Sequence, residues 1–194
     1  MQLTFATTNK GKLLTMKEDL KSFGIEVVQK SIEIPEPRSN DVQEIADHKV
    51  RYAYQQVQQP VIVMDAGFYI DSLNGFPRAF VNFALQTIGI VGILKLVEGQ
   101  DRHCEFRECL AYLDDKMSEP KFFVAHIRGT LATQPRGKVH EGHWSELVLI
   151  FIPENLDTTL AEMSVEQMDA WRARTNAKDP HAKEFPNWFL QHRG

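Results

Sequence analysis

Cysteine is scarce in this 194-residue chain, which carries only Cys104 and Cys109. They stand five apart in a strand-like segment, and an odd separation turns them to opposite faces, so no disulfide between them is expected. Two cysteines without metal-ligand spacing argue against a zinc site and suit a reducing, cytoplasmic setting. No apolar run approaches the roughly 18 residues of a membrane span, and no charged-then-apolar leader precedes the first strand. The chain therefore reads as soluble and not exported. A formal net charge of −4 offers no basic stripe for a nucleic-acid polymer. It leaves room for a small anion, which needs only a local positive patch. The glycine-rich nucleotide loops, G-x-x-x-x-G-K and G-x-G-x-x-G, are absent as well.

What is present is a mixed α/β pattern. Gln2 to Ala6 reads as a strand running into Thr7-Thr8-Asn9, a cap-rich turn. Leu13, Leu14, Met16, Leu20 and Phe23 form a helical stripe that Gly24 ends. Ile25 to Val28 is a second strand, and Ile34 to Asn40, with Pro35 and Pro37, is a loop. Asp41 caps a helix running to about Gln58, and Pro60 stops it. A strand over Val61 to Ile70, a turn over Leu73 to Pro77 and a helix over Thr87 to Val97 follow. Long strands are expected at His103–Leu113 and Lys121–Ala132, then a loop from Gln134 to Gly142 and a short buried strand from Leu147 to Ile152. A last amphipathic helix spans Ala161 to about Ala177 and breaks at Asp179-Pro180. The tail aromatics Phe185, Trp188 and Phe189 are expected to dock on the body or to serve an interface. The whole chain, residues 1–194, fits one α/β domain: a mixed twisted sheet in two lobes flanked by helices around a central cleft.

The densest chemical signal is Val61-Ile62-Val63-Met64-Asp65-Ala66-Gly67. Three β-branched residues lead to a carboxylate read as closing its strand, and a buried strand does not carry Asp there without a partner or a metal. In open α/β sheets ligands bind at such strand ends. Thr7-Thr8-Asn9-Lys10-Gly11-Lys12 opens a helix whose free N–H groups suit a phosphate, with Lys12 in the first turn. Glu44 and Lys49 share one broad sector of the next helix. Taken singly, the two helical segments read as a capped helix with solvated lysines and an exposed helix with mixed charges. Together they supply two carboxylates and several lysines from three element ends. That inventory suits a metal-bound polyphosphate, since Mg²⁺ takes one or two protein carboxylates and completes its shell with water and phosphates.

Over nearly its whole length the chain resembles the inosine-triphosphate pyrophosphatases, which hydrolyse non-canonical purine nucleoside triphosphates. Thr7-x-Asn9-x-x-Lys12 matches the family's opening [S/T]-x-N-x-x-K, with Thr15 where a glutamate is expected. Glu44-x-Ala46-x-x-Lys49 matches its E-N-A-x-x-K helix apart from Ile45. Asp65-Ala66-Gly67-Phe68 and Leu73-Asn74-Gly75-Phe76-Pro77 are similar to its D-S-G-L and G-x-P-G run. The resemblance implies that Glu44 and Asp65 bind Mg²⁺, that Asp65 orients or deprotonates water with Lys49 beside it, and that Thr7, Thr8, Asn9, Lys12, Lys49 and Ala66 hold substrate. It also implies a homodimer. The base-reading half departs from the family: Gly142-His143-Trp144-Ser145-Glu146 replaces G-F-G-Y-D, Met168 replaces a lysine, and Arg172-Ala173-Arg174 replaces Ser-His-Arg. His143, Trp144, Arg172 and Arg174 are then the candidates for a rebuilt base pocket, although Arg172 also reads as a solvated helix residue. The expected activity is Mg²⁺-dependent release of pyrophosphate from a nucleoside triphosphate with altered base preference. The competing expectation is a catalytically weak or inactive nucleotide-binding relative that acts through a partner.

Overall fold

A computed structural model describes residues 1–140, 143–176 and 180–193. Its seven strands are β1 (Gln2–Ala6), β2 (Glu26–Lys30), β3 (Val61–Ile70), β4 (Pro77–Arg78), β5 (His103–Leu113), β6 (Lys121–Leu131) and β7 (Phe151–Pro153). The helices are α1 (Lys10–Lys21), α2 (Val42–Val57), α3 (Val81–Thr87), α4 (Gly89–Leu96), α5 (Val165–Asn176) and α6 (Phe185–Arg193). The strands join in the order β2-β1-β3-β5-β6-β7, with β4 beside β3. β2, β1 and β3 are parallel, whereas β3, β5, β6 and β7 pair antiparallel. A mixed α/β sheet was the expected class.

The connection β1-α1-β2 runs to one side of β1, and the connection β2-α2-β3 returns to its other side. Right-handed crossovers in opposite directions place their helices on opposite faces. Alternation along β3 records both faces. Ile62 and Met64 pack with Leu13, Met16 and Leu20 of α1, while Val61 and Val63 pack with Val42, Ala46, Val50 and Ala53 of α2. The distal halves of β3, β5 and β6 carry another core, in which Phe68, Ile70, Cys104 and Leu131 meet Ile90 and Ile93 of α4. One sheet thus runs through two lobes, and the cleft opens between them.

Several sequence expectations need correction. Leu14 is exposed, outside the stripe formed by Leu13, Met16 and Leu20. The helix expected over Thr87–Val97 is preceded by a separate one, α3, and starts at Gly89. Leu147–Ile152 is not a strand: Glu146–Leu149 forms a 3-10 turn and the strand begins at Phe151. An apolar run of that length reports burial and not conformation. The last helix begins at Val165 after a 3-10 turn at Leu160–Glu162, and the break called at Asp179 lies outside the described residues, as does Gly142. The aromatic tail is helical, and Phe185 and Phe189 are fully buried against Tyr112 and Phe123. It closes the core. Cys104 and Cys109 are free, buried and in different clusters.

Candidate functional site

Asp65 stands mid-strand rather than at a strand end, because β3 continues to Ile70 along β5. β1 pairs with β3 only at Val61 and Ile62, so Asp65 emerges just beyond the carboxyl end of the parallel part. That is the switch point of the sheet, where β1 leaves towards one side and β3 lies on the other.

Asp65 continues the α2 face of β3, and Lys49 of α2 meets it there. The Lys49 ammonium donates to Asp65 Oδ1 at 2.7 Å and to Glu36 Oε1 at 2.7 Å. Burial alone would lower the Lys49 pKa, but the two carboxylates outweigh it and hold the lysine above its ordinary value. Asp65 and Lys49 are largely shielded from water, whereas Glu36 in the proline loop is open, with 72% of its side chain exposed. The inner ion pair is therefore the strong one.

Lys12 approaches from the opposite face of the sheet. Asn9 caps α1 by accepting from the Lys12 backbone N–H at 2.9 Å. The Lys12 ammonium donates to the Met64 carbonyl at 3.1 Å, one residue before Asp65. Burial pushes its pKa below the ordinary lysine value, against the pull of Asp65. Thr7, Thr8, Asn9, Lys12, Lys49, Asp65 and Ala66 all line one cleft, and Thr7 Oγ1 accepts from the Asn9 N–H. Two lysines thus flank one carboxylate at a helix N-terminus, which is an arrangement for a phosphorylated ligand.

Glu44 is not brought to this cleft. It sits exposed in the first turn of α2 and accepts from the Ser39 hydroxyl at 2.7 Å. The carboxylate that shares Lys49 with Asp65 is Glu36, in a loop whose composition reads only as irregular. Among the described residues no group of three or more metal-ligating side chains gathers. Asp65 and Glu36 nonetheless match the one or two carboxylates that Mg²⁺ requires when phosphates complete its shell.

Beside the cleft lies an apolar chamber that shares Met64, Phe106, Trp144 and Ser145 with it. Trp144, half-buried, donates its indole N–H to Thr15 Oγ1 at 3.1 Å. Thr15 stands where the family resemblance predicts glutamate, and here it anchors the chamber's aromatic wall. Gly11 makes that possible: a Cβ there would lie 2.8 Å from the His143 carbonyl oxygen and 3.0 Å from Trp144 Cδ1. Arg174 does not reach the chamber. It is exposed, bonds back to the Ala170 carbonyl and turns to a separate depression, while Arg172 lines the chamber. Residues two apart on a helix point roughly 200° apart, so only one of the pair can face it. His181, on the π-helical turn Pro180–Glu184 ahead of α6, also lines the chamber and was not singled out from sequence. Neither was Glu108, buried on β5. A carboxylate within Phe106-x-Glu108-Cys109-Leu110 carries the same signal as Asp65 within its own apolar strand.

The fold and the cleft define a class: an α/β protein that pairs a lysine-and-carboxylate cleft for phosphates with an adjoining aromatic chamber. More specifically, the chain belongs to the Ham1 family, whose sequence profile matches residues 3–182. It is 39% identical to the dITP/XTP pyrophosphatase of Methanopyrus kandleri over 96% of this chain and 97% of that one. It is 33% identical to the protein of the same name from Thermococcus kodakarensis, over 98% of each. Among solved structures, the Staphylococcus aureus Ham1 protein superposes with a TM-score of 0.77 at 21% identity, covering 100% of both chains. That last likeness concerns the fold alone.

Proposed function

We propose that this chain is a Mg²⁺-dependent nucleoside triphosphate pyrophosphatase that releases a nucleoside monophosphate and pyrophosphate. The observation that carries the proposal is the Lys49–Asp65 contact at 2.7 Å, with the buried Lys12 one residue away at the Met64 carbonyl. Full-length relatives named dITP/XTP pyrophosphatase support the reaction class.

In this reading the phosphates enter at the Thr7–Asn9 turn and displace Lys49 from part of its contact with Asp65. Lys12 and Lys49 clamp the leaving pyrophosphate, whose developing charge they neutralise. Asp65, freed to accept, orients a water towards the α-phosphorus and takes its proton. Asp65 and Glu36 would hold Mg²⁺, which would supply further charge neutralisation at the phosphates. Glu44 could join only if the Ser39 contact opened. The base enters the chamber beside Trp144, whose ring offers a stacking face. The residues that line this chamber differ from the family's base-reading motif, which supports an altered base preference.

A homodimer is part of the proposal. Phe80, Phe83, Ile88 and Val91 on and around α3 and α4 expose large apolar surface, and a second copy would cover it. A reducing cytoplasm suits the two free cysteines. The decisive experiment measures pyrophosphate release across canonical and modified nucleotides with Mg²⁺ and with EDTA. Metal-dependent release of pyrophosphate from at least one triphosphate is expected. Release of orthophosphate alone, or turnover indifferent to EDTA, overturns the reading. Tight nucleotide binding without cleavage would instead assign the chain to the inactive, partner-dependent class.

A further inference from the structure

Three separate elements meet at one hydroxyl beside the chamber. Thr15 of α1 accepts from the Trp144 indole N–H at 3.1 Å and, in a longer contact, from Arg172 Nη2 of α5 at 3.5 Å. A hydroxyl oxygen offers two lone pairs, so both are engaged by groups that wall the chamber. The backbone of the same tryptophan is tied to the same helix, because the Asn9 amide donates to the Trp144 carbonyl at 3.5 Å. Trp144 is thus held by α1 at its ring edge and at its backbone. It packs with the α1 cluster, whereas the Lys49–Asp65 pair lies on the α2 face of the sheet.

Along α1, Asn9, Lys12 and Thr15 recur at every third position from the cap and so share one face of the helix. Lys12, which clamps phosphate in the proposed reaction, precedes Thr15 by about 4.5 Å along the axis. Its ammonium lies 5.9 Å from the centroid of the Trp144 ring and is anchored separately on the Met64 carbonyl at 3.1 Å. One rigid helix therefore carries both the phosphate clamp and the anchor of the stacking wall. A base seated against Trp144 then fixes how the α-phosphorus lies relative to Lys12 and Asp65. A misplacement of about 1 Å at a reacting centre can cost roughly 10²-fold in rate. The anchor therefore acts on turnover more than on capture.

We infer that Thr15 is a positioning residue of this site. By holding the Trp144 ring edge and Arg172 on one oxygen, it sets the register of the base against the phosphate clamp, and with it how sharply turnover discriminates among bases. A base that fits the fixed ring brings its triphosphate into line with the attacking water. A base that fits poorly gains little from the ring being fixed. Loss of the anchor therefore penalises the best substrate most. The inference rests on the pyrophosphatase reading of the cleft and concerns the chamber, not the lysines.

The test compares Thr15→Val, which keeps the shape of threonine but cannot accept, with Thr15→Ser, which keeps the hydroxyl. Pyrophosphate release is followed over a panel of nucleoside triphosphates with Mg²⁺. For the best substrate Thr15→Val should lower kcat roughly 10-fold with little change in KM, the signature of an interaction used in the transition state. The spread of kcat/KM across the panel should narrow. Inhibition by pyrophosphate, which engages the lysines and not the chamber, should stay near its wild-type strength. Thr15→Ser should restore both kcat and the spread. Trp144→Phe keeps a ring but has no N–H to donate, so it should reproduce the loss, and adding Thr15→Val to it should cost little more, since residues acting through one contact are not additive. A folded Thr15→Val protein with wild-type kcat and spread overturns the inference. Equal losses for every substrate and for pyrophosphate overturn it too, because they mark a merely structural role, and so do additive losses in the double variant. If Thr15→Val does not fold, Trp144→Phe decides, and wild-type turnover by it overturns the inference. A wild type that releases pyrophosphate from no nucleotide overturns the pyrophosphatase reading itself, which is distinct from a variant that matches an active wild type.

Discussion

In the proposed reaction Asp65, Lys49 and Lys12 carry the chemistry of the cleft. Asp65→Asn keeps the shape but loses the charge that a general base and a metal both need, so kcat should fall by roughly 10²-fold or more; near-full activity would remove Asp65 from the mechanism. Lys12→Ala should weaken triphosphates far more than monophosphates in a competition assay, and equal weakening would place this lysine away from the leaving group. Burial lowers the Lys12 pKa, so rising pH strips its charge before an ordinary lysine would lose one. The KM for a triphosphate should therefore climb on the alkaline side below the usual lysine range. Lys12→Arg, charged at every accessible pH, should remove the climb. At Gly11 the difficulty is steric. Gly11→Ala drives a methyl group into the His143–Trp144 backbone turn, which should cost about 1–3 kcal/mol in a denaturation experiment and loosen nucleotide binding through the base.

At the scale of elements, the C-terminal helix closes the core that β5 and β6 share with α1. Phe185 and Phe189 bury their rings against β5 and β6, each contributing about 1.5–3 kcal/mol. A polar staple fixes the end of α6. Asp114, buried after β5, accepts from the Tyr112 hydroxyl at 2.7 Å, His192 Nε2 at 3.0 Å and Arg193 Nη1 at 3.0 Å. Burial alone would raise the Asp114 pKa, yet these donors and the Lys116 N–H hold it below the usual aspartate value. A depressed carboxylate contributes stability that is present above its unfolded pKa and lost as pH falls through the folded one. Wild-type stability should consequently drop on acidification from about pH 4 downward, and Asp114→Asn should flatten that part of the profile. Asp114→Ala should cost about 3 kcal/mol by thermal or chemical denaturation, since it leaves the Tyr112 hydroxyl without its acceptor and Arg193 with only the exposed Asp115. A loss under about 0.5 kcal/mol, the range of an ordinary surface change, would show the staple to be ornamental.

The molecule as a whole joins two lobes through one sheet, and its exposed apolar surface gathers beside the cleft. Phe83 is 66% exposed and Val91 63%. Sedimentation of the wild type should report a dimer, and Phe83→Glu should shift it towards monomer while leaving the melting temperature nearly unchanged. A wild type that stays monomeric at high micromolar concentration would end the dimer proposal. Phe80 and Phe83 also line the cleft, so a dimer on this face would border the phosphate site of each copy.

Much of this protein was determined by residue pattern alone. Helices α1 and α2 were legible from their caps and stripes, β3, β5 and β6 from long β-branched and aromatic runs, and Asp65, Lys12 and Lys49 from charges placed where strands or helix starts must hide them. These are local signals, carried by a few neighbouring residues and by the cost of burying charge. The run over Leu147–Ile152 misled because hydrophobicity reports burial without conformation. Arg174 misled because one helix turn separates facing from turning away, and only packing fixes the phase. Glu36, Glu108 and His181 come from a loop, a strand and a π-helical turn far apart in the chain. Their meeting with Lys49 and with the chamber required the sheet to bring those elements together, because a contact between distant segments is a property of register and layer, which no single stretch of sequence contains.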